Sequence, residues 1–206
     1  MRIIKAKEKK ERSLGAQLGL KPFRSNSPKS AFLRRPQRPG VHGAKRPRSA
    51  SEFKAQLMEK QRMKVSYGLS ERQMKSMVTS ALKSKRSVPE FIIDTLESRL
   101  DNVVMRLGLA PSRIMARQMV THGHILVNGI KMTIPSYAVK KGNVITIKES
   151  KKSSPLYKEL PQTIKAYTPP SWLSLNKETL EGTIVNKPEN VELPFNMSLV
   201  IDYYSR

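Results

Sequence analysis

Ser112-Arg113-Ile114-Met115-Ala116-Arg117-Gln118-Met119-Val120-Thr121-His122-Gly123-His124-Ile125-Leu126-Val127-Asn128-Gly129-Ile130-Lys131-Met132 is the stretch on which the fold turns. Two periodicities meet in it. Behind the N-cap candidate Ser112, the apolar residues Ala116, Met119 and Val120 recur at helical spacing, which predicts a short helix from Arg113 to about His122. From His124 to Met132 the pattern is two strands joined at Asn128-Gly129, the strongest short-range hairpin signal. Arg113 and Arg117, at i and i+4, are expected on one exposed helix edge.

Upstream, Ser87, Pro89 and Glu90 open a helix whose apolar side, Ile92, Leu96, Leu100, Val103 and Leu107, runs unbroken to a stop at Gly108. Downstream, Lys141-Gly142-Asn143 turns into a strand from Val144 to Ile147. Residues 88–150 are thus expected to form a helix-helix-hairpin-strand module, with Lys151-Lys152-Ser153-Ser154-Pro155 as its polar exit. Before it, residues 49–87 read as two helices. Ser49 and Glu52 have capping-box spacing ahead of Phe53, Leu57 and Met58, and Gly68 is the stop. Ser70 and Gln73 repeat the spacing ahead of Met74, Met77, Val78, Ala81 and Leu82, a stripe that suits a core. Lys60, Arg62, Lys64 and Arg72 lie between the stripes and are expected to project outward. The tail, 151–206, holds Trp172 and two predicted strands, about Thr183–Val185 and Met197–Tyr204, and is expected to close back on an earlier domain.

Residues 1–48 carry fifteen Lys and Arg against two Glu, and Pro22, Pro28, Pro36, Pro39 and Pro47 break any long helix. This basic arm is expected to take its order from RNA, presenting Arg34 and Arg35 along a groove. The whole chain has 39 Lys+Arg, 16 Asp+Glu and a net charge of +23. Such a charge repels itself but gains salt-sensitive affinity beside phosphates, where counterions are released. Nucleic acid is the expected partner, ahead of a lipid surface or a merely solvated basic face.

Other classes find little support. The chain has no cysteine and three histidines, so neither a disulfide nor a metal site is expected. MRIIKAKEKKERSLG lacks the apolar core of a signal peptide, and no stretch has the length of a membrane helix, so a cytoplasmic protein is expected. No phosphate-binding loop, nucleophile elbow or His-Glu-x-x-His pair is present, and no cofactor is implied. An RNA-modifying enzyme would need a catalytic domain for which the remaining residues are too few and too basic. A DNA-compacting factor would need a recognition helix or a groove wedge.

Two constellations suit RNA. His42, Lys45, Arg46 and Arg48 lie in a Gly- and Pro-rich loop where the backbone can approach a phosphate. Arg113, Arg117, Gln118, His122 and His124 gather planar donors at the junction of helix and hairpin, a mixture suited to recognising RNA by shape.

The run Leu96-Glu97-Ser98-Arg99-Leu100-Asp101-Asn102-Val103-Val104, with Ser112-Arg113, Ala116-Arg117-Gln118, His122-Gly123-His124-Ile125 and Val127-Asn128-Gly129, resembles the bacterial-type small-subunit ribosomal protein four family. Pro39-Gly40, His42-Gly43-Ala44-Lys45, Glu59-Lys60-Gln61, Tyr67-Gly68, Glu71-Arg72-Gln73, Trp172-Leu173 and Tyr204-Ser205-Arg206 extend the resemblance over nearly the whole chain. The central part is similar to the alpha-L RNA-binding module, which other RNA-handling proteins also carry.

The resemblance implies an α+β fold: an extended basic N-terminal arm (1–48), a helical domain (49–87) completed by the tail, an inserted alpha-L module (88–150) and a C-terminal tail (151–206) whose short strands pack back on the helical domain. It implies early, direct binding to small-subunit ribosomal RNA, assembly of the subunit body and support of translational accuracy. Implied partners are neighbouring small-subunit proteins and messenger RNA where it enters the subunit, with no membrane and no homo-oligomer. Tyr67, Arg99, Asn102, Arg106, Ser112, Asn128 and Lys131 complete the RNA-binding set. Where some members hold zinc with two pairs of cysteines, Glu8, Glu11, Ser25 and Ser30 stand here, so the metal-free form is implied, its N-terminal arm held by RNA contacts and by its proline-rich path.

Overall fold

A computed structural model describes residues 6–25, 27–45, 49, 51–152, 154, 157, 160–189 and 191–205. In chain order its helices are α1 (Lys7–Leu14), α2 (Pro22–Ser25), α3 (Ala31–Arg34), α4 (Glu52–Ser66), α5 (Glu71–Lys83), α6 (Val88–Glu97), α7 (Leu100–Arg106), α8 (Arg113–Thr121), α9 (Glu149–Lys152), α10 (Leu160–Lys165) and α11 (Met197–Ser205). Its strands are β1 (Ile125–Val127), β2 (Ile130–Lys131), β3 (Val144–Ile147), β4 (Leu173–Asn176) and β5 (Glu181–Ile184). The fold is α+β, and the chain divides into two units, Met1–Phe91 with Glu192–Arg206 and Ile92–Val191.

In the second unit all strands form one antiparallel sheet in the order β2-β1-β3-β5-β4. The hairpin turns where expected: Asn128 and Gly129 take φ of 50° and 79°, the left-handed pair that a two-residue hairpin turn requires. The Asn128 side-chain oxygen accepts from Val144 N at 2.8 Å and ties the turn to β3. The sheet buries Ile125, Val127, Ile145 and Ile147 against Val103, Leu107, Met119 and Val120 of the helices. The short strands expected against the helical domain join this sheet instead: β5 pairs with β3, Val144 opposite Thr183 and Ile145 opposite Gly182, and β4 pairs with β5. Gly182 has a packing reason: a Cβ there would stand 2.3 Å from the Leu107 side chain.

The single helix expected through Leu107 is two. Ser98 and Arg99 interrupt it because their backbone bonds to a distant loop: Val139 N donates to Ser98 O at 2.9 Å, and Leu100 N to Tyr137 O at 2.9 Å. Arg99 is in extended conformation at the start of α7, in whose first turn Asp101 and Asn102 are buried.

In the first unit α5 opens with the expected reciprocal capping box of Ser70 and Gln73 and buries Met74, Val78 and Ala81. α4 is capped by Ser51, not Ser49: its side chain accepts from Lys54 N. Its enclosed side is not the stripe of Phe53, Leu57 and Met58 but Gln56, Glu59, Lys60 and Met63. The polar members have partners: Glu59 accepts from Asn196 N at 2.8 Å and pairs with Arg62, and Lys60 reaches Glu71 at 2.9 Å.

Met197–Ser205 is a helix, not the expected strand. The Asn196 side-chain oxygen accepts from Ser198 N at 3.0 Å and starts it, and Val200, Tyr203 and Tyr204 then share a helical face towards α4 and α5. The β-branched and aromatic residues that favour a strand are here the packing residues of that face. The N-terminal arm, expected to order on RNA, holds α1, α2 and α3. Carboxylates tie it: Glu11 accepts from Leu18 N at 2.9 Å and Leu20 N at 3.2 Å, and Glu8 from Ala31 N at 3.1 Å.

Candidate nucleic-acid interface

α8 starts where Ser112 accepts from Met115 N at 3.3 Å, so the Ser112 side chain serves as a cap. Arg113 and Arg117 leave the same side of α8 but are only partly exposed, with side chains 18% and 20% accessible. This corrects the expected exposed edge. The cause lies beneath them. Glu97, wholly enclosed, pairs with Arg106 through two bonds of 2.9 and 3.1 Å and lies 3.8 Å from Arg113. Asp101 binds Arg99 through two bonds of 3.1 and 2.8 Å and lies 3.6 Å from Arg117. Asn102 bridges: its amide donates to Glu97 at 2.8 Å, and its oxygen accepts from Arg113 Nε at 2.7 Å.

At the other end of α8, Gly123 at φ +69° separates the exposed His122 from the half-buried His124. A Cβ on Gly123 would meet the Lys131 side chain at 2.2 Å, so the glycine gives Lys131 a seat beside the two histidines. His124 Nδ1 lies 2.8 Å from the Tyr157 hydroxyl, which burial pushes up to about 12 and keeps neutral. Burial, then the charges of Lys151 and His122, hold the His124 imidazole below its ordinary pKa. At neutral pH it is therefore a neutral ring, suited to a ribose or base edge more than to a phosphate salt bridge.

α8 and the hairpin that follows it thus carry Arg113, Arg117, Gln118, His122, His124 and Lys131 within the second unit. Exposed Lys151 and Lys148, whose amide donates to His124 O at 2.8 Å, extend this set. The sequence reading missed both lysines, as it missed Tyr157. Lysine runs after a predicted strand were a usable signal, whereas nothing local marks Tyr157.

Other expected contacts divide by burial. Arg34, Arg35, His42, Lys45 and Arg72 are exposed, while Arg46 and Arg48 lie outside the described residues. Lys60, Arg62 and Lys64 do not simply project outward. Lys60 is enclosed by Glu71 and the Tyr203 ring, Lys64 bonds Glu71 at 2.8 Å, and Arg62 donates to Leu14 O at 3.0 and 2.9 Å. Tyr67 is buried beside Phe195, and Arg99 and Asn102 are buried in the ion network, where Arg106 is bound to Glu97. Lys60, Tyr67, Arg99 and Asn102, each under a tenth exposed, are placed to position their neighbours, whereas Arg62, Lys64 and Arg106 keep about a quarter of their side chains at the surface.

The family profile described as Ribosomal protein S4/S9 N-terminal domain matches residues 2–97, and the S4 domain matches residues 98–145. The chain is 44% identical to small ribosomal subunit protein uS4 of Thermus thermophilus over 194 residues, 93% of each chain. It is 45% identical to that of Aquifex aeolicus over 85% of this chain and 86% of the relative, and 41% identical to that of Gloeobacter violaceus over 95% and 94%. The chain belongs to the uS4 family. The ion network around Glu97 lies at the junction of the two profile matches, and the basic cluster lies within the S4 domain and just after it. Among the described residues of this uS4 family member, no three His, Asp or Glu side chains gather to hold a metal, and no helix is long and apolar enough to cross a membrane.

Proposed function

We propose that this chain is a structural, non-enzymatic constituent of the small ribosomal subunit that binds its ribosomal RNA directly, nucleates the subunit body and supports accurate decoding. One observation supports the reading: in a chain of net charge +23, Arg113, Arg117, Gln118, His122, His124 and Lys131 all lie within the S4 domain match, residues 98–145. Guanidinium forks suit phosphates, and neutral amide and imidazole groups suit riboses and base edges, so the surface fits folded RNA.

The RNA-facing set is Arg34, Arg35, His42, Lys45, Lys64, Arg72, Arg113, Arg117, Gln118, His122, His124 and Lys131, joined by Lys148 and Lys151. Arg46 and Arg48 belong to it by sequence and charge. Lys60, Arg62, Tyr67, Arg99, Asn102, Arg106, Ser112 and Asn128 support it. In this reading 1–48 is an arm laid on RNA, 49–87 a helical domain, 88–150 the alpha-L module and 151–206 the tail. The protein works in the cytoplasm as one copy per subunit, touching neighbouring small-subunit proteins and messenger RNA where it enters.

A salt-dependent titration on small-subunit ribosomal RNA, with transfer RNA and double-stranded DNA as competitors, tests this. Binding that survives excess competitor at physiological salt is expected; equal competition by all three would leave only a general polyanion binder.

A further inference from the structure

Coulomb attraction alone gives no reason for acids beneath an RNA-binding surface, since each carboxylate subtracts from the charge that draws the polyanion. Yet Glu97 is 0% and Asp101 4% exposed, directly under the arginines of α8. Burying a carboxylate is costly unless cations and N–H donors surround it. Here Glu97 takes both edge groups of Arg106 and the Asn102 amide, and Asp101 takes both edge groups of Arg99. Each then has a second arginine on the surface side, Arg113 at 3.8 Å and Arg117 at 3.6 Å.

The contacts fix orientation as well as charge. A guanidinium is planar, with five N–H groups in a rigid fork, so an anion or acceptor on one edge sets the plane in which the others point. Glu97 also sets Asn102. With its amide turned to the carboxylate at 2.8 Å, its oxygen faces Arg113 Nε at 2.7 Å. Two anchored arginines, Arg99 and Arg106, thus compensate the carboxylates, and the surface arginines are oriented by what remains.

We propose that Glu97 and Asp101 are specificity-determining positioning residues: they lower the raw electrostatic affinity of the module and in exchange hold Arg113 and Arg117 in the geometry of folded ribosomal RNA. This rests on the RNA-binding reading above. It makes an unusual demand, because removing a negative charge from an RNA-binding protein is ordinarily expected to strengthen its binding to every nucleic acid.

The test uses the full chain and its variants Glu97→Gln, Asp101→Asn and Arg113→Lys, titrated at several salt concentrations on small-subunit ribosomal RNA and on double-stranded DNA. Circular dichroism and thermal unfolding follow the fold in parallel. For the two carboxylate variants, DNA affinity holds or rises by about two- to threefold while ribosomal RNA affinity falls about tenfold, so the ratio collapses. Arg113→Lys keeps the charge but loses the fork and the Asn102 bond, and its ratio falls about fivefold or more without a change in DNA binding. It covers the case in which a carboxylate variant does not fold. Ratios within twofold of the unaltered protein, or equal losses on both nucleic acids, overturn the proposal. A failure of the RNA-binding reading shows separately, as no preference for ribosomal RNA by the unaltered protein.

Discussion

Glu71 is the fastener of the C-terminal helix, and its removal has a calculable cost. Its carboxylate accepts from Lys60 Nζ at 2.9 Å, Lys64 Nζ at 2.8 Å and the Tyr204 hydroxyl at 2.8 Å. Partial burial pushes its pKa up, but the bonds from Lys64, Lys60 and Tyr204 outweigh this and bring it from the ordinary 4.5 down to about 2. Taken at face value, that difference corresponds to about 3.4 kcal/mol of stability above pH 4.5. The side chain is 46% exposed, however, so solvent screening reduces it to about 1–1.5 kcal/mol. Glu71→Ala adds a second cost, because Lys60, 6% exposed, keeps a charge over the Tyr203 ring at 4.5 Å without its anion. The expected total is about 2 kcal/mol for releasing α11, or about a thirtyfold loss of amide protection. Hydrogen exchange of the amides of 197–205 reads this directly. The sign in pH follows from the depressed pKa: the contribution is whole above about 4.5 and lost as pH falls towards 2. Protection in Glu71→Ala within threefold of the unaltered chain at pH 7 would refute the reasoning.

Gly108→Ala is expected to cost about 2–3 kcal/mol, because φ is +77° and the new Cβ would stand 2.7 Å from the Tyr167 ring; urea unfolding followed by Trp172 fluorescence, from the same unit, reports it. Arg113→Ala with Arg117→Ala is expected to reduce the salt slope of RNA binding by up to about 2. It also lowers stability by about 1–3 kcal/mol because Glu97 and Asp101 lose partners, so unaltered urea unfolding would contradict the ion network. Lys151→Ala is expected to raise the His124 titration midpoint seen by NMR, since that charge, after burial, helps to depress it. With the midpoint depressed, His124 contributes stability that is present above about pH 6.5 and lost as pH falls through the lower folded value. Ser70→Ala is expected to cost about 1 kcal/mol through the capping box, with lost amide protection at the start of α5 as the readout.

What the sequence disclosed was local. Asn128-Gly129 specifies its turn through left-handed φ, and Ser70 with Gln73 close a cap across one helical turn, so each was legible without knowing the fold. What it hid was long-range. Apolar periodicity runs unbroken through Ser98 and Arg99, and long-range bonds to Pro135, Tyr137 and Val139 divide the helix there. Met197–Tyr204 has strand-forming residues in a helix because Asn196 and the surfaces of α4 and α5 outweigh propensity. The interface shows the same split. Spacing placed Arg113 and Arg117 on one edge, but their half-burial follows from acids on another part of the chain.

Those acids give the charge excess its structure. With 39 cations and 16 acids, a surplus of positive groups is certain, and a surface carboxylate without partners of its own would only weaken the attraction to RNA. Enclosed, it does work that no cation can, because backbone N–H groups and guanidinium forks both need an acceptor. Glu11 gathers the amides of Leu18 and Leu20, Glu59 joins Arg62 to the start of α11, and Glu97 and Asp101 underlie the arginines of the S4 domain. Each of these acids turns a nearby cation or loop from a mobile charge into a placed one. It follows that neutralising enclosed acids should disorder the surface proposed to meet RNA, whereas neutralising exposed ones whose carboxylates have no partner among the described residues, such as Glu178 and Glu181, should leave its order intact and strengthen binding to any polyanion.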